Sequence, residues 1–92
     1  MKTIQFLLLT EKTDYAVALA DKYLQGYFIS PGDGRWNGVN ETSLSIRVVC
    51  DSGVHADTVS TRRAVLDWRE AIIAAGQTDC YVIESEVWLY KN

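Results

Sequence analysis

Apolar residues divide the chain into four strand-like segments and two helix-like segments. The first strand-like segment, residues 3–10, is apolar at both alternating sets of positions, with Ile4, Phe6 and Leu8 on one side and Leu7 and Leu9 on the other. Successive side chains of a strand point to opposite faces of a sheet, so this pattern predicts a strand that is buried on both faces. We therefore expect it at the centre of a sheet.

The next segment, residues 13–25, carries apolar residues at the i, i+4, i+8 spacing of a helix face. Two such rows lie side by side, Tyr15, Leu19 and Tyr23 in one and Ala16, Ala20 and Leu24 in the other. Thr13 is predicted to cap this helix, and Asp14 lies near the positive end of its dipole. Gly26 is predicted to end it in a left-handed conformation.

The middle of the chain predicts two strands and the turns between them. Residues 27–29 begin a strand, and residues 30–34, which include the only proline, carry the strongest turn signal of the chain. Residues 35–39 resume the strand and residues 40–42 turn it. Residues 43–50 then form a strand whose alternating apolar positions are Leu44, Ile46, Val48 and Cys50.

A polar loop, residues 51–57, is predicted to lead into the second helix, which is capped by Asp57, Thr58 or Ser60 and ends at Gly76. Its apolar stripe is Thr61, Val65, Trp68, Ile72 and Ala75. The last strand, residues 79–90, is rich in residue types that favour strands. We expect its outward-facing side chains to be Glu84, Glu86, Trp88 and Tyr90.

This order of elements is that of the ferredoxin-like β-α-β-β-α-β sandwich. The predicted fold is α+β, with one antiparallel sheet, both helices on one face and the other face open. The 92 residues fit a single domain, residues 1–92. An open sheet face is often covered by a partner or by a second copy of the chain, so we regard it as a candidate interaction surface.

Charge narrows the class of partner. The formal net charge is −3, and Arg62-Arg63 is the only place where basic residues are adjacent. Nucleic-acid binding needs clustered Lys and Arg, so this composition disfavours it. The dispersed acidic residues either keep the chain soluble or present carboxylates to a basic target, as an inhibitor of a nucleic-acid-binding protein does. The three Trp, five Tyr and two Phe are numerous enough to supply an interface as well as the core.

The two cysteines, Cys50 and Cys80, are too few for a disulfide framework. The apolar run at residues 6–9 is too short for a signal peptide, and no stretch reaches the roughly 18 apolar residues of a membrane span. We therefore expect a cytoplasmic protein with reduced thiols that does not enter a membrane.

The middle segment resembles the CutA divalent-cation-tolerance family and, more distantly, the PII-like signalling proteins. The matching residues cover about a fifth of the chain and are Pro31-Gly32, Trp36, Gly38, Glu41 and the run Leu44-Ser45-Ile46-Arg47. The resemblance implies the same fold, a long bent hairpin and self-assembly, as in the trimers of that family, with a small ligand or metal in clefts between subunits. Two family features are absent: Tyr27 stands near the place of a Cys, and residues 76–80 stand in place of a His-Pro-Tyr-Glu stretch. These departures weigh against metal binding.

Catalytic chemistry has little support in the sequence. His55, the only histidine, could form a triad with Ser52 or Ser60 and Asp57, but residues so close in sequence are better explained as loop and cap residues. A metal site from Cys50, Asp51, His55 and Asp57 is conceivable, and a solvated loop is the simpler interpretation.

Two further patterns have a simple structural interpretation. Glu84 and Glu86 point to the same side of their strand, which favours a solvated face over a catalytic carboxylate pair. Gly32-Asp33-Gly34 precedes a strand and not a helix N-terminus, so we interpret it as a turn and not as a phosphate loop.

Trp36 is the strongest single candidate for function. It either packs the hairpin onto the core or serves as an aromatic contact at an interface, with Arg35 and Glu41 beside it. We predict a non-enzymatic protein-binding module without catalytic residues, metal or cofactor, of the kind that viral and other mobile-element proteins use to inhibit a host protein. The alternative is a homo-oligomeric regulator of the CutA and PII type. The predicted binding residues are Arg35, Trp36, Glu41, Glu84, Glu86 and Trp88.

Overall fold

A computed structural model describes residues 1–51, 55–76 and 80–90. Its elements, in chain order, are β1 (Lys2–Glu11), α1 (Asp14–Tyr23), β2 (Phe28–Trp36), β3 (Val39–Val49), α2 (His55–Ala74) and β4 (Cys80–Trp88). The strands form one sheet in the order β2-β3-β1-β4, and every neighbouring pair is antiparallel. This is the predicted ferredoxin-like α+β fold, with β1 at the centre as its pattern indicated.

The core lies between one face of the sheet and the two helices. Phe6, Leu8 and Ile46 from the sheet and Val65, Trp68 and Ile72 from α2 are its largest fully buried side chains. The indole N–H of Trp68 donates a hydrogen bond to the backbone carbonyl of Ala16, 3.3 Å away, which ties α2 to α1. The predicted helix stripes are confirmed in their central positions, since Ala16, Ala20 and Leu24 of the first helical segment are also buried.

Helix ends differ from the expectation in three places. Thr13 precedes α1 in an extended conformation, but its hydroxyl makes no capping bond and lies buried without a partner. Gly26 does not adopt the predicted left-handed conformation, because Leu24 already ends α1 with extended backbone. At α2 the helix begins at His55, earlier than predicted. Gly76 follows the end of α2, as predicted, and its φ is 109°.

The predicted turn at residues 30–34 is wrong. These residues lie within β2 and pair in unbroken register with β3, from Phe28 opposite Arg47 to Trp36 opposite Val39. The turn is Asn37-Gly38 instead, and both residues have positive φ, 51° and 78°, as the two-residue hairpin turns with Asn-Gly require. The second predicted turn, residues 40–42, is also part of a strand, β3.

Candidate functional site

The register of the sheet assigns each strand residue to one of two faces, because residues directly opposite each other in an antiparallel pair point to the same side. Phe6 and Leu8, which belong to the core, lie opposite Val48 and Ile46 of β3 and opposite Glu84 and Val82 of β4. The helix-covered face therefore holds the even-numbered residues of β1, β3 and β4. The odd-numbered residues of these three strands lie on the other side.

We call this other side the open face, since the buried core that packs on the helices is built from the opposite set of residues. By register its members are Thr3, Gln5, Leu7, Leu9 and Glu11 of β1; Phe28, Ser30, Gly32, Gly34 and Trp36 of β2; Val39, Glu41, Ser43, Ser45, Arg47 and Val49 of β3; and Tyr81, Ile83, Ser85 and Val87 of β4. The open face is amphipathic, with serines, Arg47, Glu11 and Glu41 among its apolar residues.

Large apolar side chains of the open face are exposed to solvent. Tyr81 and Ile83, 57% and 48% exposed, directly adjoin the half-buried Leu9 and Leu7 of β1, whereas Phe28, 73% exposed, lies on β2 beyond Ser45 and Arg47 of β3. The residues Leu7, Leu9, Tyr81 and Ile83 form a contiguous apolar surface, and exposed apolar surface of this kind marks a site of contact with another molecule. The open face is thus the main candidate interaction surface of the described residues.

The β2–β3 hairpin extends this surface away from the core. Trp36 is 68% exposed, so it does not pack the hairpin onto the core. By register it lies on the same side of the sheet as Phe28, and Val39 stands opposite it across the turn. The Arg35 side chain donates to the carbonyl of Gly38 at 2.8 Å, which holds the turn closed, and Glu41 is exposed beside Gly34. An exposed Trp on a turn fixed in this way is suited to insertion into a partner's pocket.

Glu84, Glu86 and Trp88 do not lie on the open face, which corrects the predicted outward set of the last strand. They share the side of Cys80 and Val82, both of which pack into the core or against it. The carboxylate of Glu84 accepts two hydrogen bonds from Arg62 of α2, at 2.6 and 3.0 Å, and this partner holds the pKa of Glu84 below its ordinary value. Glu86 forms an exposed ion pair with Lys2 at 2.9 Å. These carboxylates are therefore engaged within the chain.

Sequence reasoning missed the members of the open face that contribute most apolar surface. Tyr81 and Ile83 alternate with Cys80 and Val82, so hydrophobicity alone does not tell which pair is buried. Phe28 begins a short apolar run before a proline and gives no alternation signal. The odd-numbered residues of β4 include no charge and the even-numbered ones include two carboxylates, so the local pattern assigns the wrong side to the core and gives no usable signal.

Of the two serines considered for a catalytic triad, Ser60 belongs to the described part of the chain. The hydroxyl of Ser60 donates to the backbone carbonyl of Asp57, a helix contact, and Ser52 lies outside the described residues. Within the described part of the chain, no three His, Cys, Asp or Glu side chains are placed to hold a metal ion. The helices of that part are also too short or too polar to cross a membrane.

A cavity of about 890 Å³ lies at the end of the sheet where α1 ends and α2 begins. Its lining includes the aromatic side chains Tyr23, Tyr27 and Phe28, together with Arg47 and the polar first turns of α2. The hydroxyl of Tyr27 donates to Asp21 at 2.6 Å, and this bond to a carboxylate raises the pKa of the phenol. The cavity offers aromatic surfaces to a small molecule, and its charged lining residues are Arg47, Asp51 and Asp57.

Solved structures of other proteins share this fold at low sequence identity. No protein-family model and no curated protein matches the chain. Among solved structures, a putative PII-like signalling protein from Thermus thermophilus superposes with a TM-score of 0.63 at 12% identity, over 97% of this chain and 89% of that one. A nitrogen regulatory PII-like protein, CPII from Thiomonas intermedia K12, in a structure bound to ADP, AMP and bicarbonate, gives 0.58 at 13% identity, over 99% and 98%.

CutA from Synechococcus elongatus PCC7942 gives a TM-score of 0.45 at 17% identity, over 90% of this chain and 80% of that one, a value too low to support an argument. The PII-like part of the resemblance seen in the sequence is thus confirmed at the level of the fold.

Proposed function

We propose that this chain is a non-enzymatic protein-binding module that associates with copies of itself through the open face of its sheet. The observation that carries the proposal is the exposed apolar surface of Tyr81 and Ile83 beside Leu7 and Leu9, with Phe28 exposed on the same face. Burial of such surface contributes about 25 cal/mol per Å², which makes removal from water the main driving force for association.

A second copy suits the open face better than a strongly charged partner. Its charged residues are Arg47, Glu11 and Glu41, of both signs and dispersed, so the face has no single-sign patch to steer a strongly basic or acidic protein. Two sheets packed face to face bury their apolar rows against each other at a spacing of about 10 Å. The PII-like neighbours support a regulatory role for such an assembly, because one of them is described as a nitrogen regulatory protein.

Sedimentation equilibrium of the wild type and of a Phe28→Asp variant tests the proposal. The wild type is expected to sediment above the monomer mass, and Phe28→Asp is expected to shift it towards monomer because the face would then have to bury a carboxylate. Val59→Asp is the matched control, since Val59 is an exposed apolar residue of α2, remote from the sheet's open face. A wild-type monomer at all concentrations, or equal effects of the two variants, contradicts the proposal.

A second candidate function is the binding of a small ligand in the cavity beside α2. Its support is the combination of Tyr23, Tyr27 and Arg47 in one lining and the PII-like neighbour whose structure contains ADP, AMP and bicarbonate. A ligand that binds only the folded state raises the melting temperature, so ADP, AMP and bicarbonate are to be tested one at a time by thermal unfolding. Arg47→Ala should abolish the rise, and Arg63→Ala should keep it. No rise with any of the three removes this candidate.

The narrower hypothesis of a viral or mobile-element inhibitor stays a prediction from composition. Trp36 at the hairpin turn is the residue that would contact the inhibited protein, flanked by Arg35 and Glu41. Trp36→Ala in a pull-down against a purified target would then abolish capture, whereas Trp88→Ala, a change to a similarly exposed Trp outside the hairpin, would not.

A further inference from the structure

The sheet ends in two edge strands, β2 and β4. An edge strand presents backbone N–H and C=O groups that have no partner within the sheet, and such a row is a template for pairing with another chain. Proteins protect their edges with proline, charge or a covering loop. The two edges of this sheet differ in that protection.

The outward-facing backbone groups of β4 follow from its contacts with the start of the chain. The amide of Leu89 donates to the Met1 carbonyl at 2.7 Å, and the Met1 amino group donates to the Leu89 carbonyl at 2.6 Å. Bonded pairs alternate along an antiparallel ladder, so the backbone groups of Ile83 and of the other odd-numbered residues of β4 point towards β1. Those of Val82, Glu84 and the other even-numbered residues point away from the sheet.

The edge of β2 is protected. Its ladder with β3 closes at the Trp36–Val39 pair beside the two-residue turn, so its outward-facing backbone groups belong to odd-numbered residues, including Pro31 and Asp33. Pro31 has no N–H to offer to a further strand, and Asp33 adds a charge. Neither device is present at residues 80–83 of β4, whose sequence is Cys-Tyr-Val-Ile.

We propose that two copies of the chain pair along β4, antiparallel, about a two-fold axis beside Val82. This arrangement deepens the proposed self-association by naming a second surface, and it uses backbone groups instead of the open face. The axis sets Tyr81 of one copy opposite Ile83 of the other, Cys80 opposite Glu84, and Val82 opposite itself. The pairs formed by even-numbered residues have outward-facing backbone groups on both strands, as hydrogen-bonded pairs require.

The side chains along this edge complement each other in that register. Tyr81 and Ile83 are exposed apolar residues, and an aromatic residue opposite a β-branched one is a favourable cross-strand pair. A groove of about 420 Å³ between α2 and β4 is lined by Cys80, Glu84, Arg62 and Arg69. Among the described residues, the ion pairs join Arg62 to Glu84 and give Arg69 no carboxylate. Glu84 of the second copy, set beside Cys80, would bring a carboxylate to Arg69.

A continuous eight-stranded sheet is the consequence of this pairing. The open faces of the two copies would then lie side by side and form one larger apolar surface. Packing between open faces and pairing between edges involve different groups, so either can occur without the other.

Amide hydrogen exchange of the wild type, followed residue by residue in dilute and in concentrated samples, tests the edge pairing directly. The amides of Val82 and Glu84 should exchange at least about tenfold more slowly in the concentrated sample, because pairing supplies their missing acceptors. The amide of Ile83, already bonded to β1, is the internal reference. Exchange at Val82 and Glu84 that does not depend on concentration overturns the inference, and so does protection that arises only with a different protein.

Two matched pairs of variants locate the contact. Val82→Pro removes an outward-facing N–H from β4 and should dissociate the edge-paired dimer. Ile29→Pro removes the equivalent N–H from β2, the other edge, and should leave the dimer intact. Arg69→Glu should weaken pairing, while Arg63→Glu, a change on the same helix at a side chain that pairs with Asp67, should leave it unchanged.

Concentration-dependent protection of Val82 that persists in Phe28→Asp would show edge pairing without open-face packing. If the Val82 amide shows no concentration-dependent protection while the wild type still sediments above the monomer mass and Phe28→Asp does not, open-face packing occurs without edge pairing. The two proposals can therefore fail separately.

Discussion

Replacing Trp68 and Trp36 separately by alanine distinguishes a core tryptophan from an interface tryptophan. Trp68 is fully buried between the helices and the sheet, and its indole N–H is bonded to Ala16. Trp36 is 68% exposed at the hairpin turn. The two substitutions remove the same side chain, so the difference between their effects reports the environment alone.

The expected magnitudes follow from burial. A fully buried Trp removes roughly 150–250 Å² from water, which at about 25 cal/mol per Å² is worth about 4–6 kcal/mol. Substitutions of this kind cost about 3–5 kcal/mol when the site relaxes. A domain of this size has a free energy of unfolding of roughly 5–14 kcal/mol, so Trp68→Ala should leave it near the limit of stability. Trp36→Ala should cost at most about 1 kcal/mol, the value of one cross-strand contact with Val39.

Urea unfolding followed by far-ultraviolet circular dichroism measures both free energies, with Trp68→Phe as the control that keeps most of the apolar volume. Trp68→Phe should cost less than Trp68→Ala, because the cavity is smaller and only the indole hydrogen bond is lost. Equal losses for Trp68→Ala and Trp36→Ala would refute the assignment of Trp36 to the surface. A loss below about 1 kcal/mol for Trp68→Ala would refute the position of the core.

Other substitutions test the turn and the Arg62–Glu84 pair. Gly38→Ala should destabilise the protein by about 1 kcal/mol because φ at Gly38 is +78°, whereas Gly26→Ala, at a position without positive φ and with open space around an added Cβ, should be neutral or slightly stabilising in the same urea titration. The pKa of Glu84 is lowered in the folded state by its hydrogen bonds from Arg62, so the stabilisation is present above the ordinary carboxyl pKa and is lost as the pH falls through the lowered folded value. Glu84→Gln should therefore flatten the acid side of a plot of unfolding free energy against pH. The change should be small, because the side chains of Arg62 and Glu84 are both well exposed. An unchanged acid side would show that the pair contributes nothing measurable to stability.

Much of the fold could be predicted because its signals are local and periodic. The two apolar sets of β1 indicate a central strand, and the stripe through Val65, Trp68 and Ile72 indicates the buried face of α2. In both elements the spacing of apolar residues identifies which sides of the strand or helix are buried, and this is what hydrophobic periodicity can predict.

The turn predicted at residues 30–34 is wrong because residue types that favour a turn are also tolerated in an edge strand. Pro31 between Ser30 and Gly32 is typical of a turn, yet on an edge strand with its ring nitrogen directed outward it costs no ladder bond. Asn37-Gly38 is the stronger hairpin signal, since both residues accept positive φ.

The face of β4 could not be predicted, because hydrophobicity assigns the more apolar side of a strand to the core. Tyr81 and Ile83 are the more apolar pair, but they lie on the open face, while Glu84 and Glu86 lie on the helix-covered side where their partners Arg62 and Lys2 reach them. A strand whose exposed side is more apolar than its core-facing side is typical of a surface that contacts another molecule.

Hydroxyl-radical footprinting at low and high protein concentration tests the central proposal, self-association through the open face, most directly. Phe28 lies on that face and Trp88 lies off it, and both are well exposed in the single chain. The account predicts that oxidation of Phe28 falls as concentration rises while oxidation of Trp88 does not change. Oxidation of Phe28 that is independent of concentration, or protection of Trp88 instead, would contradict it.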